Sequence, residues 1–143
     1  MALEILVKYF NPDMPKLQKT SIGDWIDLRA SKKFVLEPGM HVLIPLGVAI
    51  KLPPGYEAIL APRSSSFKNW GVIQANSIGI VDESYCGDED EWKWSVYCMK
   101  HSAIGIFERV CQFRIQKKQP DVFFTEVTEL GKSRGGFGST GTK

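Results

Sequence analysis

Residues 41–62, HVLIPLGVAIKLPPGYEAILAP, decide the fold class of this chain. They form two strand-like runs, 41–55 and 56–62, which are rich in β-branched residues and broken by proline and glycine. Similar short runs recur at 4–10, 33–39, 78–82, 92–99, 104–108, 109–118 and 122–127. No long segment has the spacing of apolar residues that is typical of a helix. The pattern therefore predicts an all-β protein: a sandwich, a jelly roll or a closed barrel.

One short helix is predicted in SSSFKNWG, residues 64–71, with a serine cap at its start and Gly71 just past its end. The length of 143 residues suggests one domain. After Leu130 the composition changes to Gly, Ser, Thr, Lys and Arg, which is too polar to fold alone. We therefore expect a core over residues 1–130 and a flexible, glycine-rich C-terminal arm over residues 131–143.

The composition excludes several classes of partner. A net charge of +2, from 18 basic and 16 acidic residues, argues against nucleic-acid binding. No apolar run approaches the ~20 residues of a membrane span, so no membrane partner is expected. Three widely spaced cysteines without a CxxC pair predict reduced thiols in a cytoplasmic setting, and two isolated histidines argue against a zinc site.

Two stretches place polar side chains next to predicted strands. APRSSSFKNWG, residues 61–71, puts Arg63 and three serines at a helix start, which suits either anion binding or a capped helix with a surface arginine. NSIGIVDESYCG, residues 76–87, holds Asn76, Asp82 and Tyr85 in a predicted hairpin. There Asp82 follows an apolar strand and is either positioned to activate a water or part of an acidic turn.

Two further stretches carry weaker signals. The acidic run GDEDE, residues 87–91, lacks calcium-loop spacing and is interpreted as a solvated hairpin tip. In RVCQFRI, residues 109–115, strict alternation predicts one face with Arg109 and Cys111 and another with Val110 and Gln112. A glutamine on a half-buried face needs a hydrogen-bond partner, which is either a ligand or a neighbouring backbone.

The arm carries RGGFGSTG, residues 134–141. Glycines let a backbone wrap phosphate, Arg134 adds charge, Ser139 and Thr140 add hydroxyls, and Phe137 can stack on a base. Ordering about ten residues costs roughly 10–20 kcal/mol. Closure therefore needs several phosphate contacts plus a stacked base, as a nucleoside triphosphate provides. The alternative is a disordered RGG-like end.

Five motifs in order resemble the trimeric all-β dUTP pyrophosphatases (dUTPases), and especially the short dUTPases of Bacillus and its phages. The motifs are DWIDLRA (24–30), PRSSS (62–66), GIVDESYCG (79–87), RVCQ (109–112) and RGGFGSTG (134–141). The resemblance implies a distorted jelly roll of the β-clip, dUTPase-like kind, a homotrimer, and hydrolysis of dUTP to dUMP and pyrophosphate with Mg²⁺. This reaction limits uracil incorporation into DNA and supplies dUMP for thymidylate synthesis.

The resemblance also implies roles for single residues. Asp82 deprotonates the water that attacks the α-phosphorus, Tyr85 lies under the deoxyribose, and Asp27 touches the metal through water. The hairpin around Gly79 and Ile80 reads uracil with main-chain groups. The substrate-binding residues implied are Arg63, Ser64, Ser65, Asn76, Gly79, Ile80, Tyr85, Gln112, Arg134, Phe137, Gly138, Ser139 and Thr140.

The sequence departs from the family pattern in two places that affect the site. The arm's arginine lies three residues before Phe137 rather than five, so either Arg134 or Lys132 contacts the γ-phosphate, and Arg134 is favoured. The segment EDEWKWSVY, residues 89–97, offers Trp92 and Trp94 as alternatives to Phe137 for the aromatic lid over uracil.

Two other functions fit the same sequence. One is a dCTP deaminase of the same fold, which needs a glutamate just past the third motif, where Glu91 lies next to the required register. The other is a noncatalytic module: a barrel with an RNA-binding arm, or a dUTPase scaffold that binds a regulatory protein if the gene is carried by a phage. Near-neutral charge disfavours the RNA version.

Overall fold

The computed structural model describes residues 2–138 and 141. Within these residues the chain forms eleven strands and one short helix. The strands are β1 (Leu6–Tyr9), β2 (Ile26–Arg29), β3 (Phe34–Leu36), β4 (His41–Pro45), β5 (Val48–Lys51), β6 (Tyr56–Pro62), β7 (Val72–Gln74), β8 (Gly79–Val81), β9 (Lys93–Cys98), β10 (Ser102–Ile104) and β11 (Arg109–Lys117). The helix, α1 (Ser66–Trp70), lies between β6 and β7. The prediction of an all-β protein with one short helix is confirmed.

The strands pair antiparallel in four small sheets. Their strand orders are β1–β5, β3–β10, β2–β11–β6–β8 and β4–β9–β7. None of the four sheets described closes on itself, so the closed-barrel alternative is excluded. Small sheets that share one core agree with the predicted distorted jelly roll.

The core forms where alternating strand residues turn inward. In β9, Trp94, Val96 and Cys98 are buried while Lys93 and Tyr97 face outward, as expected for a strand with one solvated face. The largest fully buried side chains are Trp92, Trp94, Phe113, Leu28, Leu36, Ile44, Leu46, Ile50, Ile104, Val48, Val72 and Val96. Cys98 and Cys111 are buried and Cys86 is half-buried, and all three are free thiols.

The start of α1 differs from the predicted serine cap. Ser65 takes the N-cap position, but its side chain makes no capping hydrogen bond. The neighbouring Ser66 is fully buried instead; its Oγ accepts from Arg63 N (2.9 Å) and donates to the Val110 carbonyl (2.7 Å). The helix ends as predicted at Gly71, whose φ of 61° is left-handed and whose N–H donates to the Phe67 carbonyl. Ser66 thereby fastens the turn after β6 to β11.

Strict alternation in β11 was a wrong prediction. Val110 and Cys111 are both fully buried, whereas Arg109 is exposed. The pairing with β2 shifts register between Arg109 and Cys111, which is a β-bulge. A bulge inserts one residue and rotates the side chains that precede it. The bulge therefore turns Arg109 outward, toward Asp27 of β2.

The hairpin predicted over residues 76–87 does not form as a strand pair. β7 pairs with β9 and β8 pairs with β6, so the two strands belong to different sheets. Gln74, which is 5% exposed, joins them. Its Nε2 donates to the carbonyls of Leu60 (3.1 Å) and Ser77 (3.0 Å), and its Oε1 accepts from Trp94 Nε1 (2.7 Å).

The run 122–127, predicted as a strand, forms neither strand nor helix. Among the described residues, the last backbone hydrogen bond that ties this end of the chain to the core joins Lys118 N to the Gly55 carbonyl (2.9 Å). Beyond it, apolar side chains face solvent. They are Val122, Phe123, Phe124, Val127 and Leu130. No helix among the described residues is long and apolar enough to cross a membrane.

Candidate functional site

Asp82 lies directly after β8, in an exposed turn. Its Oδ2 accepts hydrogen bonds from the backbone N–H of Ser84 (2.8 Å) and from the Ser84 hydroxyl. These bonds, with a smaller contribution from the positive charge of Lys118, hold the pKa of Asp82 below its ordinary value. Among the described residues Oδ1 accepts no hydrogen bond, so an ionised oxygen is free to bind a water.

A cleft of about 450 Å³ opens beside Asp82. It is lined by Ile80, Val81, Asp82, Ser84, Tyr85, Glu91, Trp92 and Lys93. The Tyr85 hydroxyl donates to the Glu91 carbonyl (2.9 Å), and the tyrosine is 40% exposed. Burial, followed by the charges of Asp90 and Glu91, raises the pKa of Tyr85. Tyr85 is therefore a neutral, fixed, flat surface next to an ionised carboxylate.

The acidic run 87–91 makes a turn rather than a hairpin tip, because β8 and β9 lie in different sheets. The side chains of its last two residues accept hydrogen bonds from backbone N–H groups. Asp90 Oδ2 accepts from Gly87 N (2.8 Å) and Glu91 Oε2 accepts from Gly47 N (2.9 Å). Asp88 and Glu89 are exposed, as predicted for a solvated run. No group of three or more His, Cys, Asp or Glu suited to a metal ion occurs in the part of the chain that is described.

Trp92 and Trp94 are each 1% exposed, so neither ring has a free face for stacking in this structure. Trp92 packs edge-on against Phe113, with ring centroids 5.1 Å apart, and Trp94 donates to Gln74. Phe137 in the arm is fully exposed. Of the three aromatic residues predicted as lids, only Phe137 presents an open ring.

A second polar cluster forms where β2, β6 and β11 lie side by side. Asp27 Oδ1 lies 3.1 Å from Arg63 Nε, and its Oδ2 lies 3.4 Å from Arg109 Nη1. Arg63 Nη1 also donates to the Arg109 carbonyl (3.2 Å), and Gln112 Nε2 donates to the Pro62 carbonyl (3.1 Å). We call Asp27, Arg63, Arg109 and Gln112 the Arg63 cluster. Two guanidinium groups against one carboxylate leave it positively charged, which suits a phosphate.

Sequence reasoning selected Asp27, Arg63 and Gln112 but missed Arg109 as a site residue. The bulge in β11 is what brings Arg109 to Asp27, and a bulge cannot be read from side-chain alternation. The available signal was the position of Arg109 as the first residue of the motif RVCQ. Ser64 lies in the turn before α1, next to this cluster in sequence.

Asp82 and the Arg63 cluster lie at opposite ends of β6. Ala58 is paired with Val81, so the next residue, Asp82, lies opposite Glu57, near the start of β6. Arg63 follows Pro62 at the other end. Six residues of strand at ~3.3 Å each separate them by roughly 20 Å. One chain therefore does not bring its predicted base and its predicted phosphate-binding groups together.

The family model described as dUTPase matches residues 15–141. The chain belongs to the dUTPase family. It is 49% identical over 142 residues to the SPbeta prophage-derived deoxyuridine 5′-triphosphate nucleotidohydrolase YosS of Bacillus subtilis, covering 99% of this chain and 100% of that protein. It is 34% identical over 143 residues to the deoxyuridine 5′-triphosphate nucleotidohydrolase of Streptomyces avermitilis, covering 97% of this chain and 81% of that protein.

Solved dUTPases share the fold. A point mutant of the dUTPase of Staphylococcus phage 80alpha superposes with a TM-score of 0.80 at 19% identity, covering 97% of this chain and 99% of that one. The dUTPase of Streptococcus mutans gives a TM-score of 0.72 at 21% identity, covering 82% of this chain and 98% of that one. The jelly-roll fold predicted for this dUTPase is confirmed.

The remaining predicted residues of this dUTPase fall in β8, the preceding turn and the arm. Gly79 lies against Leu60, where a Cβ would stand 3.0 Å from the Leu60 Cβ, so a larger residue would require the Leu60 side chain to shift. Ile80 is half exposed on β8, the edge strand of its sheet, and Asn76 is exposed in the turn. Arg134, Phe137 and Gly138 are exposed, whereas Ser139 and Thr140 lie outside the described residues.

Proposed function

We propose that this dUTPase hydrolyses dUTP to dUMP and pyrophosphate, with Asp82 as the base. The observation that carries the proposal is the ionised Asp82, one oxygen held by Ser84 and the other free, at the rim of a cleft with Tyr85. Asp82 takes a proton from water as the water oxygen bonds to the α-phosphorus. The bond from that phosphorus to the α–β bridging oxygen breaks, and pyrophosphate leaves.

The cleft beside Asp82 is proposed to hold the nucleoside. Ile80 and Gly79 lie on an edge strand, whose outer backbone groups are open to the edge of a uracil base. Tyr85, fixed through its hydroxyl, offers its ring to the deoxyribose and leaves no room for a 2′-hydroxyl. Asn76, in the turn before β8, is the remaining residue proposed to bind the nucleoside.

The Arg63 cluster is proposed to hold the phosphates, together with the arm. Arg63 and Gln112 contact the α- and β-phosphates, and Ser64 and Ser65 lie at the adjoining turn. Arg134, Gly138, Ser139 and Thr140 contact the γ-phosphate, and Phe137 covers the base.

Magnesium is proposed to arrive with the triphosphate. A dUTPase of Staphylococcus aureus phage phi11 contains a structural Mg(II) ion. In this chain both oxygens of Asp27 face guanidinium groups, and the described residues hold no metal-binding cluster. Magnesium keeps most of its waters and prefers one or two carboxylates plus phosphate oxygens, so Asp27 fits it as a contact through water. Bound there, it would neutralise charge on the phosphate chain.

A homotrimer is proposed to complete each site. Because Asp82 and Arg63 lie roughly 20 Å apart along one strand, a bound dUTP needs Asp82 of one chain and the Arg63 cluster of another. The exposed side chains of Phe123, Phe124 and Leu130 agree with a segment that packs on a neighbouring chain. In such a trimer the arm of one chain closes over a site that the core of the same chain does not wholly form.

The cellular setting and partners remain proposals. Three free cysteines agree with a reducing compartment such as the cytoplasm. The dUTPase of phage 80alpha is described as controlling the transfer of virulence genes. A regulatory protein partner for this chain stays a prediction from sequence.

The proposed function is tested by measuring pyrophosphate release from dUTP, dCTP, dTTP and UTP with Mg²⁺, and by assaying ammonia release from dCTP. We expect turnover of dUTP alone. Deamination of dCTP would establish the rival activity, although Glu91, the glutamate next to the register that this activity requires, accepts a hydrogen bond from Gly47 N. No turnover of any nucleotide would contradict an enzymatic role.

A further inference from the structure

Glu83, the residue after Asp82, is held from two sides. Its Oε2 accepts from the backbone N–H of Gly55 (2.8 Å), and its Oε1 pairs with Lys118 Nζ. Lys118 closes the ring through its own backbone, because its N–H donates to the Gly55 carbonyl (2.9 Å). We call Gly55, Glu83 and Lys118 the Glu83 clamp.

The Glu83 clamp joins three parts of the fold. Gly55 lies in the turn between β5 and β6, where its φ of 86° favours glycine. Glu83 lies in the turn that carries Asp82. Lys118 directly follows β11 and precedes residues 119–138, which are all exposed. The turn that carries Asp82 is therefore tied both to a strand connection and to the end of the central strand.

The contacts of the Glu83 clamp differ from those of an isolated surface ion pair. An isolated exposed pair contributes little to stability, because two long side chains lose freedom to form it. Here the Glu83 side chain is 25% exposed and uses both carboxylate oxygens, and although the Lys118 side chain is 43% exposed, the backbone of Lys118 is fixed independently of that side chain. Little freedom remains to be lost, so the pair can set the direction of the residue next to it.

We propose that Glu83 and Lys118 are a positioning pair for Asp82: they hold its turn against Gly55, so that the free carboxylate oxygen points into the cleft. The proposal rests on the proposed function, in which Asp82 is the base. Neither residue needs to touch the substrate. Loss of the pair lets the turn move and misplaces the base, which lowers the rate of the chemical step and leaves nucleotide binding in place.

The test compares Lys118→Met and Glu83→Gln with two matched variants. Lys117→Met removes the same charge from the neighbouring exposed residue, whose side chain makes no hydrogen bond among the described residues. Lys118→Arg keeps the charge. Steady-state kinetics on dUTP with Mg²⁺ and thermal unfolding are measured for all four. We expect kcat to fall about tenfold in Lys118→Met and Glu83→Gln with KM within about twofold, while Lys118→Arg and Lys117→Met stay near wild type.

Three results would overturn the positioning role. Equal kcat in Lys118→Met and Lys117→Met would show that the pair does not act on Asp82. A raised KM with unchanged kcat would make Lys118 a substrate contact instead. If kcat falls only in proportion to a fall in melting temperature, the pair would stabilise the fold without positioning Asp82. If the wild-type protein does not hydrolyse dUTP, the proposed function itself is wrong, and this outcome is distinct from the three above.

Discussion

Asp82 and Arg63 lie at opposite ends of the same strand, β6, roughly 20 Å apart. The first faces a cleft that suits a nucleoside, and the second belongs to a positively charged cluster that suits phosphate. Under the proposed function, one bound dUTP therefore takes Asp82 from one chain and Arg63 from another, and symmetric assembly is the simplest way to join them.

The hydroxyl of Ser84 controls the ionisation of Asp82. Its hydrogen bond is the largest cause of the lowered Asp82 pKa. Ser84→Ala removes that bond and raises the pKa toward the ordinary value, so the acid limb of the kcat/KM profile for dUTP should move to higher pH. Because both acid limbs lie at or below the ordinary pKa of an aspartate, about 3.9, the profile is measured down to about pH 3, where the shift becomes visible.

Ser102 lies on β10, outside the cleft, and its hydroxyl donates to the Trp70 carbonyl. Ser102→Ala, which removes this serine hydrogen bond, is the matched control. It should leave the acid limb unchanged. The hydrogen bond from Ser84 also makes the stability of the fold depend on pH. Because the pKa of Asp82 is lower in the folded state, its ionisation adds to the free energy of unfolding when the pH is above the unfolded-state pKa. This contribution is lost as the pH falls through the folded-state pKa. An acid limb that moves to lower pH in Ser84→Ala would contradict the assignment.

Phe137 is predicted to cover the base when the arm closes. Base stacking on an aromatic ring contributes roughly 1–3 kcal/mol, so Phe137→Ala should raise KM for dUTP by about 5- to 150-fold. Phe137→Trp should retain most of the affinity, because it keeps a flat ring. If both variants bind like wild type, the arm's aromatic residue does not stack, and the buried Trp92 would have to turn outward to serve.

Gln74 is predicted to stabilise the core through its buried hydrogen bonds. Gln74→Ala leaves the buried Trp94 Nε1 without its acceptor and the Leu60 carbonyl without a side-chain donor. Leaving a buried group unpaired costs about 1–3 kcal/mol, so the free energy of unfolding should fall by at least that amount. Denaturant titration measures it.

Gln116→Ala serves as the matched control for Gln74, because Gln116 makes a single exposed hydrogen bond to Glu57. Its effect should lie within about 0.5 kcal/mol. Equal destabilisation by the two variants would mean that the hydrogen bonds that join Gln74 to Leu60 of β6 and Trp94 of β9 do not stabilise the junction of the two sheets.

The sequence was sufficient for the fold class because strand-like runs and turn residues are local signals. The end of α1 at Gly71 and the solvated side chains of Asp88 and Glu89 also follow from local chemistry. Pairing partners are not local. The strands β7 and β8 are adjacent in sequence yet join different sheets, and only Gln74, a buried polar residue, marks that junction.

The individual motifs of the site were visible in the sequence, but their grouping in space was not. Asp27, Arg63 and Gln112 converge because β2, β11 and β6 are neighbours in one sheet, and Arg109 joins them through a bulge. The separation of Asp82 from that group depends on the antiparallel register of β6 and β8. The Glu83 clamp likewise needs three contacts between distant parts of the chain, none of which has a sequence pattern.

A site shared between chains is tested most directly by mixing two inactive variants. Asp82→Asn alone should lose about 10²- to 10⁴-fold in kcat, and Arg63→Ala alone should bind dUTP poorly. The two chains are co-expressed with different affinity tags, and trimers that carry both tags are isolated and assayed for pyrophosphate release. If each site takes Asp82 from one chain and Arg63 from the next, about one site in three is intact in every mixed trimer, and activity returns to about a third of wild type. Mixed trimers as inactive as their parents would contradict a shared site.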